Sequence, residues 1–480
     1  MSKTECDVKS HTMSLVQSFM SSLVSFPLLG CAFLLPGCLE YCAGGETVRH
    51  ESILVEAPFD MPPIQVPVFP DHDFVVTQFG AKENEDITEA ISKAIAFCHK
   101  AGGGRVVVPE GKWTTGAIHL KSLVNLHLQK GALLTFTDSP EDYLPAVQTS
   151  WEGMECFNYS PLVYALDCEN VAITGDGTLR AEMGTWKEWS GRPPAHLEAS
   201  KRLYHMVSTD VPVKDRQMAK DDANMRPQFI QFNRCKNVLI EDVRIRNSPF
   251  WTVHLLLCES VVVRGVDIVA RGHNNDGIDP EMSRNLLIEN CTFDQGDDAI
   301  AIKAGRNRDG WRLNRPTENV VIQNCTMRQG HQLVAIGTEL SGGVRNVVVR
   351  DCHFEKTTPF NLLFIKTNRR RGGFVRNIFV ENITADGVKE SAFGIETDVL
   401  YQWRNLVPTY EEKVTEIRDI YVRNITIDKA DSPFRILGDE KLPVQNVCVE
   451  NLTIRKAQLK RGRIENVTDL RERNLNVNAR

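Results

Sequence analysis

An all-β solenoid, a right-handed parallel β-helix with a short N-terminal capping helix, is the fold class that this 480-residue chain predicts. Three observations point to it. First, runs of the type N-V-x-I-x-(N/D)-x-x-(I/V/F) recur as NVLIEDVRI, NLLIENCTF, NVVIQNCTM, NVVVRDCHF, NIFVENITA and NVCVENLTI. Each is apolar and β-branched at alternate positions, with a turn residue between two strand segments. Second, no helical period intervenes from about Phe229 to Ile454. Third, one amphipathic helix precedes the coils. Units of this kind cannot bury their apolar faces singly, so they stack coil on coil.

The recurring polar position falls at Asp242, Asn290, Asn324, Asp351, Asn382 and Asn451, with Gly265 and Asn424 inside the widest intervals. Side chains there are expected to hydrogen-bond along the solenoid axis as a ladder. Asn290, Asn324, Asn382, Asn424 and Asn451 also match the N-x-S/T acceptor pattern, but their ladder position makes them structural residues rather than glycosylation sites. Cys291, Cys325 and Cys352 directly follow ladder positions and are expected inside the solenoid as small apolar residues, not in disulfides.

The helix is read from Ile87, Ala90, Ile91 and Ile95 at helical spacing, stopped by Gly102 to Gly104. The strands RVVVPEG and VNLHLQKG that follow are the first coils, so the helix covers the open end of the stack and its strand edges. The expected organisation is a leader over 1–45, a linker over 46–70, the β-helix over 71–458 and a tail over 459–480.

The leader carries a nearly uncharged apolar run from Leu23 to Leu39, the layout of a secretory signal, with Met13 as an alternative start. LLGC at Leu28 to Cys31 and LPGC at Leu35 to Cys38 resemble lipoprotein cleavage sites. The run is short for a membrane span. Export, free or lipid-anchored, is the expectation.

Hydrophobic content of 42% and charged content of 25% are those of an ordinary globular protein, and a net charge of −6 gives no basic footprint for nucleic acid. Of 13 cysteines, Cys6, Cys31, Cys38 and Cys42 lie in the leader, which leaves an odd number in the coils. There is no C-x-x-C and the histidines are scattered, so neither a metal site nor a cofactor is expected.

Chemistry is suggested by NNDGIDPEMSRNLLIENCTFDQGDDAIAIKAG, from Asn274 to Gly305, which sets Asp276 ahead of the pair Asp297 and Asp298. Like charges a few ångströms apart raise one another's pKa, so one carboxyl can stay protonated while its neighbours remain basic. Glycosidic hydrolysis needs that division of labour. The competing reading is a set of solvated turn aspartates. Adjacent strand residues point to opposite faces, so Asp297 and Asp298 can share a cleft only if the chain bends, and Gly296 suits a bend.

From about Phe79 to Arg455 the chain resembles the polygalacturonases of glycoside hydrolase family 28, in their bacterial, often exo-acting branch. The family's N-T-D is matched by Asn274, Asn275 and Asp276, its G-D-D by Gly296, Asp297 and Asp298, its G-H-G by Gly330, His331 and Gln332, and its R-I-K by Phe364, Ile365 and Lys366. The resemblance implies that Asp297 is the general acid and that Asp276 and Asp298 activate a water, with inversion at the anomeric carbon. It implies that His331 tunes the acid or orients the sugar, and that Lys366 meets a uronate carboxylate. Asn274, Lys303, Gln332, Phe364 and Tyr401 complete the expected substrate contacts, with a pectic polysaccharide or oligogalacturonide as partner.

Two departures bear on the substrate. Phe364 replaces a planar, bidentate arginine by an apolar face, which either stacks on a neutral sugar or modified uronate or turns inward as core. Gln332 and Leu333 replace small residues after His331. Glu339 is a further polar candidate or a turn residue, and the run Arg369 to Arg371 makes the surroundings of Lys366 basic. Residues 184–226, with Trp186, Trp189, Tyr204 and His205, read as loops above the cleft, where aromatics stack on sugars or pack a lid; Trp403 belongs with Tyr401 in a later loop. Alternative functions are a rhamnogalacturonan or modified-pectin hydrolase, a calcium-dependent pectate lyase and a non-catalytic glycan-binding solenoid.

Overall fold

Eleven short strands follow one another in strict chain order along one sheet, each parallel to the next, from Ile118–His119 to Ile464–Glu465. The computed structural model describes residues 50–220, 223–355 and 359–479; the expected leader lies outside them. Between successive strands of this front sheet the chain makes the rest of a coil from two further segments joined at a corner. Arg284–Glu289 and Thr292–Gln295 are one such pair, and they stack in parallel on Thr317–Gln323 and Thr326–Gln329. The architecture is the expected parallel β-helix.

Corners are set by left-handed backbone. Asp242, Asn290, Asn324, Asp351, Asn382, Asn424 and Asn451 all have φ between 54° and 63°, a region that Asn and Asp enter at least cost among side-chain-bearing residues. The ladder then forms: Asn382 Nδ2 donates to Asp351 Oδ1 at 3.0 Å, Asn424 to Asn382 at 3.1 Å and Asn451 to Asn424 at 2.9 Å. At Gly265 the ladder is interrupted, and a Cβ there would come within 2.2 Å of Asp242 Oδ1. A second ladder runs through the leading Asn of the repeat: Asn319 donates to Asn285, Asn346 to Asn319 and Asn377 to Asn346, at 2.9, 2.9 and 3.0 Å.

Inside, β-branched and leucine side chains stack coil on coil. Cys291, Cys325 and Cys352 lie among them, buried and outside any disulfide like the six other cysteines of the described residues. The capping helix, Thr88–Lys100, buries Ala90, Ile91, Ala94, Ile95 and Cys98 against this core. Asp86 starts it by accepting the Thr88 N–H at 2.8 Å; Gly102 and Gly103, at φ 92° and 109°, end it.

The structure corrects several expectations. The expected linker of 46–70 is not plain over its described residues, where His50–Ile53 and Ile64–Pro67 pair antiparallel. Ile64 and Val66 of this arm cover Ala172, Leu239, Val262, Leu287, Val321, Val348 and Phe379 on the outside of the solenoid. The described residues of the expected tail, 459–479, are not a tail, because Ile464–Glu465, Val467–Arg473 and Asn476–Ala479 continue the sheets as a final, polar coil. Short helices at Asn307–Leu313 and Trp403–Leu406 interrupt the stretch in which no helical period is visible.

The expected loops of 184–226 hold two helices, Gly184–Ser190 and Pro194–Ser208. The second buries His196, Ala199, Ser200, Leu203, Tyr204 and Val207, one face at 3.6-residue spacing. Trp186 is fully buried in the main core, and Tyr204 packs on Trp403 in a separate cluster with Trp151, Phe250 and Trp251. Trp186 and Tyr204 are therefore packing residues rather than free sugar platforms.

Candidate active site

Strand register arranges the cleft residues in columns, one residue per coil. Ile278 pairs with Ile300, so Asp276 and Asp298 occupy the same position on adjacent coils. Gln332, Asn361 and Ser391 continue that column. A second column along the floor runs Asp279, Ala301, Ala335, Phe364, Gly394, Arg435. A third, two residues further on, contains Lys303, Gly337, Lys366 and Glu396.

Positions on both sides of each strand face outward because the chain bends between them. Ala299 with Ile300, Leu333 with Val334 and Leu362 with Leu363 enter the core as consecutive residues, which a straight strand forbids. The bend falls just after the two aspartates. Gly296 serves close packing instead, since a Cβ there would lie 2.1 Å from the Gly272 carbonyl oxygen.

Asn274, Asp276, Asp297, Asp298, Lys303, His331, Gln332, Phe364, Lys366 and Tyr401 all line one groove of about 770 Å³. The bend settles the orientation of Phe364: it and Lys366 face the groove, whereas Leu363 and Ile365 face the core. Lys303 is not a free anion contact. Its ammonium is held 3.4 Å from Asp276, 3.5 Å from Asp279 and 3.7 Å from Glu339, over the Trp251 ring at 4.4 Å. Lys366 donates to Asp298 Oδ2 at 2.9 Å, and His331 Nδ1 lies 3.0 Å from Asp297 Oδ1.

The titration of these groups is divided. Burial, with the charge of Asp297 added, pushes Asp276 up to about 7. Burial also raises Asp298, against the opposing charge of Lys366. Asp279, fully buried beside Asp276, is raised well above the carboxylate range. Burial acts upward on Asp297 too, but the His331 hydrogen bond and the charges of Lys366 and Lys303 outweigh it and hold the carboxyl low. His331 is raised in turn, chiefly by that hydrogen bond. The unliganded site therefore keeps a proton within the buried Asp276–Asp279 pair, where Asp279 is pushed up the harder, and the proton between Asp297 and His331 rests on the imidazole.

Several lining residues carry no motif. Arg306 is buried and pairs with Glu339 and with Glu152, the latter at 2.9 Å. Glu339 is thus no turn residue; burial acts upward on it, but Arg306 and Lys303 bring it below its usual range. Arg226 reaches Asn274 Oδ1 at 3.3 Å. Trp251, Glu396 and Arg435 also line the groove; coil register, counted from Phe364, is the signal that could have found the last. The three arginines of 369–371 are engaged elsewhere: Arg369 with Asp439, Arg370 with the carbonyls of Val407 and Pro408, and Arg371 with Thr338 O and Asn307.

Residues 211–475, which contain all four motifs, match the family model of glycosyl hydrolases family 28. The chain belongs to that family. A solved relative, the hyperthermoactive exopolygalacturonase of Thermotoga maritima, is 38% identical over 86% of this chain and 94% of its own, with a TM-score of 0.79. The exo-poly-α-D-galacturonosidase of Dickeya chrysanthemi is 29% identical over 58% of this chain and 49% of its own length. A Vitis vinifera protein named as a probable polygalacturonase is 26% identical over 77% of this chain and 71% of its own. As a family 28 member the protein is a glycosidase, and exo-acting enzymes are among its relatives.

Proposed function

We propose that this family 28 enzyme removes galacturonate from the ends of pectic chains, acting exo and inverting the anomeric centre. The observation that carries this reading is the set of three carboxylates in one cleft, each with its own partner: Asp297 with His331, Asp298 with Lys366, Asp276 with Lys303. The proton of the Asp297–His331 pair rests on the imidazole, so His331 passes it to Asp297 as Asp297 protonates the leaving oxygen. Asp276 and Asp298, stacked one coil apart, orient a water and take its proton. Asp276, pushed up to about 7, serves as base in its ionised form.

Exo action is supported by the groove's N-terminal end, where Glu152, Arg192, Trp251 and Arg306 line it beside the two helices of 184–208. Asp297, Asp298 and His331 offer ligand atoms within 4.8 Å of one another, but the Lys366 ammonium already sits on Asp298 and would oppose a cation. That favours hydrolysis over a calcium-dependent lyase. No helix among the described residues is long and apolar enough to cross a membrane; export, free or lipid-anchored, follows from the leader and is checked by cell fractionation.

The deciding experiment is product analysis on galacturonan oligomers with a chelator present. Saturated monogalacturonate, formed first as the β-anomer by wild type and not by Asp297→Asn, is the expected result. Unsaturated products, or products from the interior of the chain, would overturn the reading.

A further inference from the structure

We infer that the groove floor beyond Lys366 is a subsite for a neutral sugar, built by Phe364, Gly394, Glu396 and Arg435. This rests on the hydrolase reading above and specifies what stands next to the galacturonate that is released. In the floor column, small residues come first. Ala301 and Ala335 leave room above them at the catalytic coils, and the column then rises to Phe364, drops to Gly394 and rises again to Arg435. Coils repeat at about 4.8 Å, so Phe364 and Arg435 stand roughly 9–10 Å apart with a notch between them.

The Phe364 ring lies across that notch and gives it a flat floor. A Cβ at position 394 would lie 3.0 Å from Phe364 Cδ2 and 3.3 Å from Cε2, so the ring leans over the glycine along the floor. An aromatic face lying along a groove matches the apolar face of a pyranose.

Charge then selects the sugar. Beyond Lys366 the charged lining groups are Glu390, Glu396 and Arg435. Arg435 Nη1 lies 3.2 Å from Glu396 Oε1, so its charge is matched. With Phe364 where an arginine fork would stand, this arm offers a uronate carboxylate no unmatched cation among its lining groups. The hydroxyls of a neutral sugar can donate to Glu390 and Glu396 and accept from Arg435.

Direction places the leaving group on this side. Asp276 lies one coil before Asp297, and Asp297 is turned toward His331 on the coil after it. Water and leaving group occupy opposite faces in an inverting reaction, so the departing sugar moves toward Phe364.

The test is kcat/KM on two oligosaccharides, both ending in galacturonate: one a pure galacturonan, the other carrying a neutral 6-deoxyhexose as the second sugar. Wild type is expected to favour the mixed substrate by about tenfold or more. Phe364→Ala should lower that ratio by about tenfold, mainly through KM, and Phe364→Arg should reverse it by supplying a carboxylate partner. Phe364→Tyr, which keeps the ring, should retain the wild-type ratio, separating loss of the platform from loss of fold. A wild-type preference for pure galacturonan, or a ratio that moves less than about twofold in Phe364→Ala and Phe364→Arg, would overturn the subsite while leaving the hydrolase intact. Failure to release galacturonate from either substrate would sink the hydrolase reading, and the subsite with it.

Discussion

His331 Nδ1 and Asp297 Oδ1 lie 3.0 Å apart and shift each other's titration in opposite directions, the histidine upward and the carboxyl downward. The proton shared by this pair is lost as pH rises through the raised His331 value. The alkaline limb of kcat/KM should therefore lie above the ordinary histidine value of 6.5. In His331→Gln only a carboxyl remains, and the limb should move to lower pH. A pH–rate series on both proteins checks this, and an unmoved limb would remove His331 from the proton path.

The same pair makes a stability prediction. His331, raised, contributes stability that is present below its unfolded value and lost as pH climbs through the folded one. Asp297, lowered, contributes stability that is present above its unfolded value and lost as pH falls. The two overlap between about pH 4 and 6.5. The melting-temperature difference between wild type and His331→Ala should be largest in that window.

Asp276 carries the opposite sign. Its folded value, raised to about 7 by burial and by Asp297, means that stability falls as pH rises from about 4 through 7. Asp276→Asn lacks that loss. It should be inactive and, compared with wild type, gain melting temperature at pH 8 more than at pH 4; calorimetry at both values decides.

Asp297→Asn should lower kcat by about 10²–10⁴-fold with substrate binding retained, the usual range for a lost general acid. Isothermal titration with a galacturonate oligomer separates the two effects.

On the ladder, Asn424→Ala breaks the bonds to Asn382 and Asn451 and puts alanine at φ 56°. Part-solvated amide bonds and a left-handed alanine together suggest a cost of about 1–3 kcal/mol, readable by urea denaturation. The arm gives a larger number: Ile64 is fully buried, and Ile64→Ala should cost about 2–5 kcal/mol.

Much of this was legible in the sequence because the repeat is local. Asn382 and Asn424 declare their corner by residue type, and the helix at Thr88–Lys100 by period, stop and place. Asp276, Asp297 and Asp298 stand out because acids at those motif positions have little packing to do. What was hidden is what only register creates. Nothing in the neighbourhood of Gly394 or Arg435 marks a site until the coils are stacked and both fall behind Phe364. Lys303 looked like a free contact because its three carboxylate partners come from two other segments of chain. The arm was hidden by its shortness, since two four-residue strands flanked by prolines carry too little pattern to outweigh the look of a linker. The helix at Pro194–Ser208 was masked by the same punctuation.

The columns of the groove floor bear on how such an enzyme can diverge. Each coil contributes one floor residue, and its neighbours along the axis belong to other coils. A change at 364, 394 or 435 alters the shape of one sugar's seat without moving the aspartates, which lie two to five coils away, and without requiring any backbone to shift. Descendants of one ancestral catalyst can thus exchange substrates by point replacement at single rungs, and the order of rungs along the stack becomes a record of the order of sugars along the polymer.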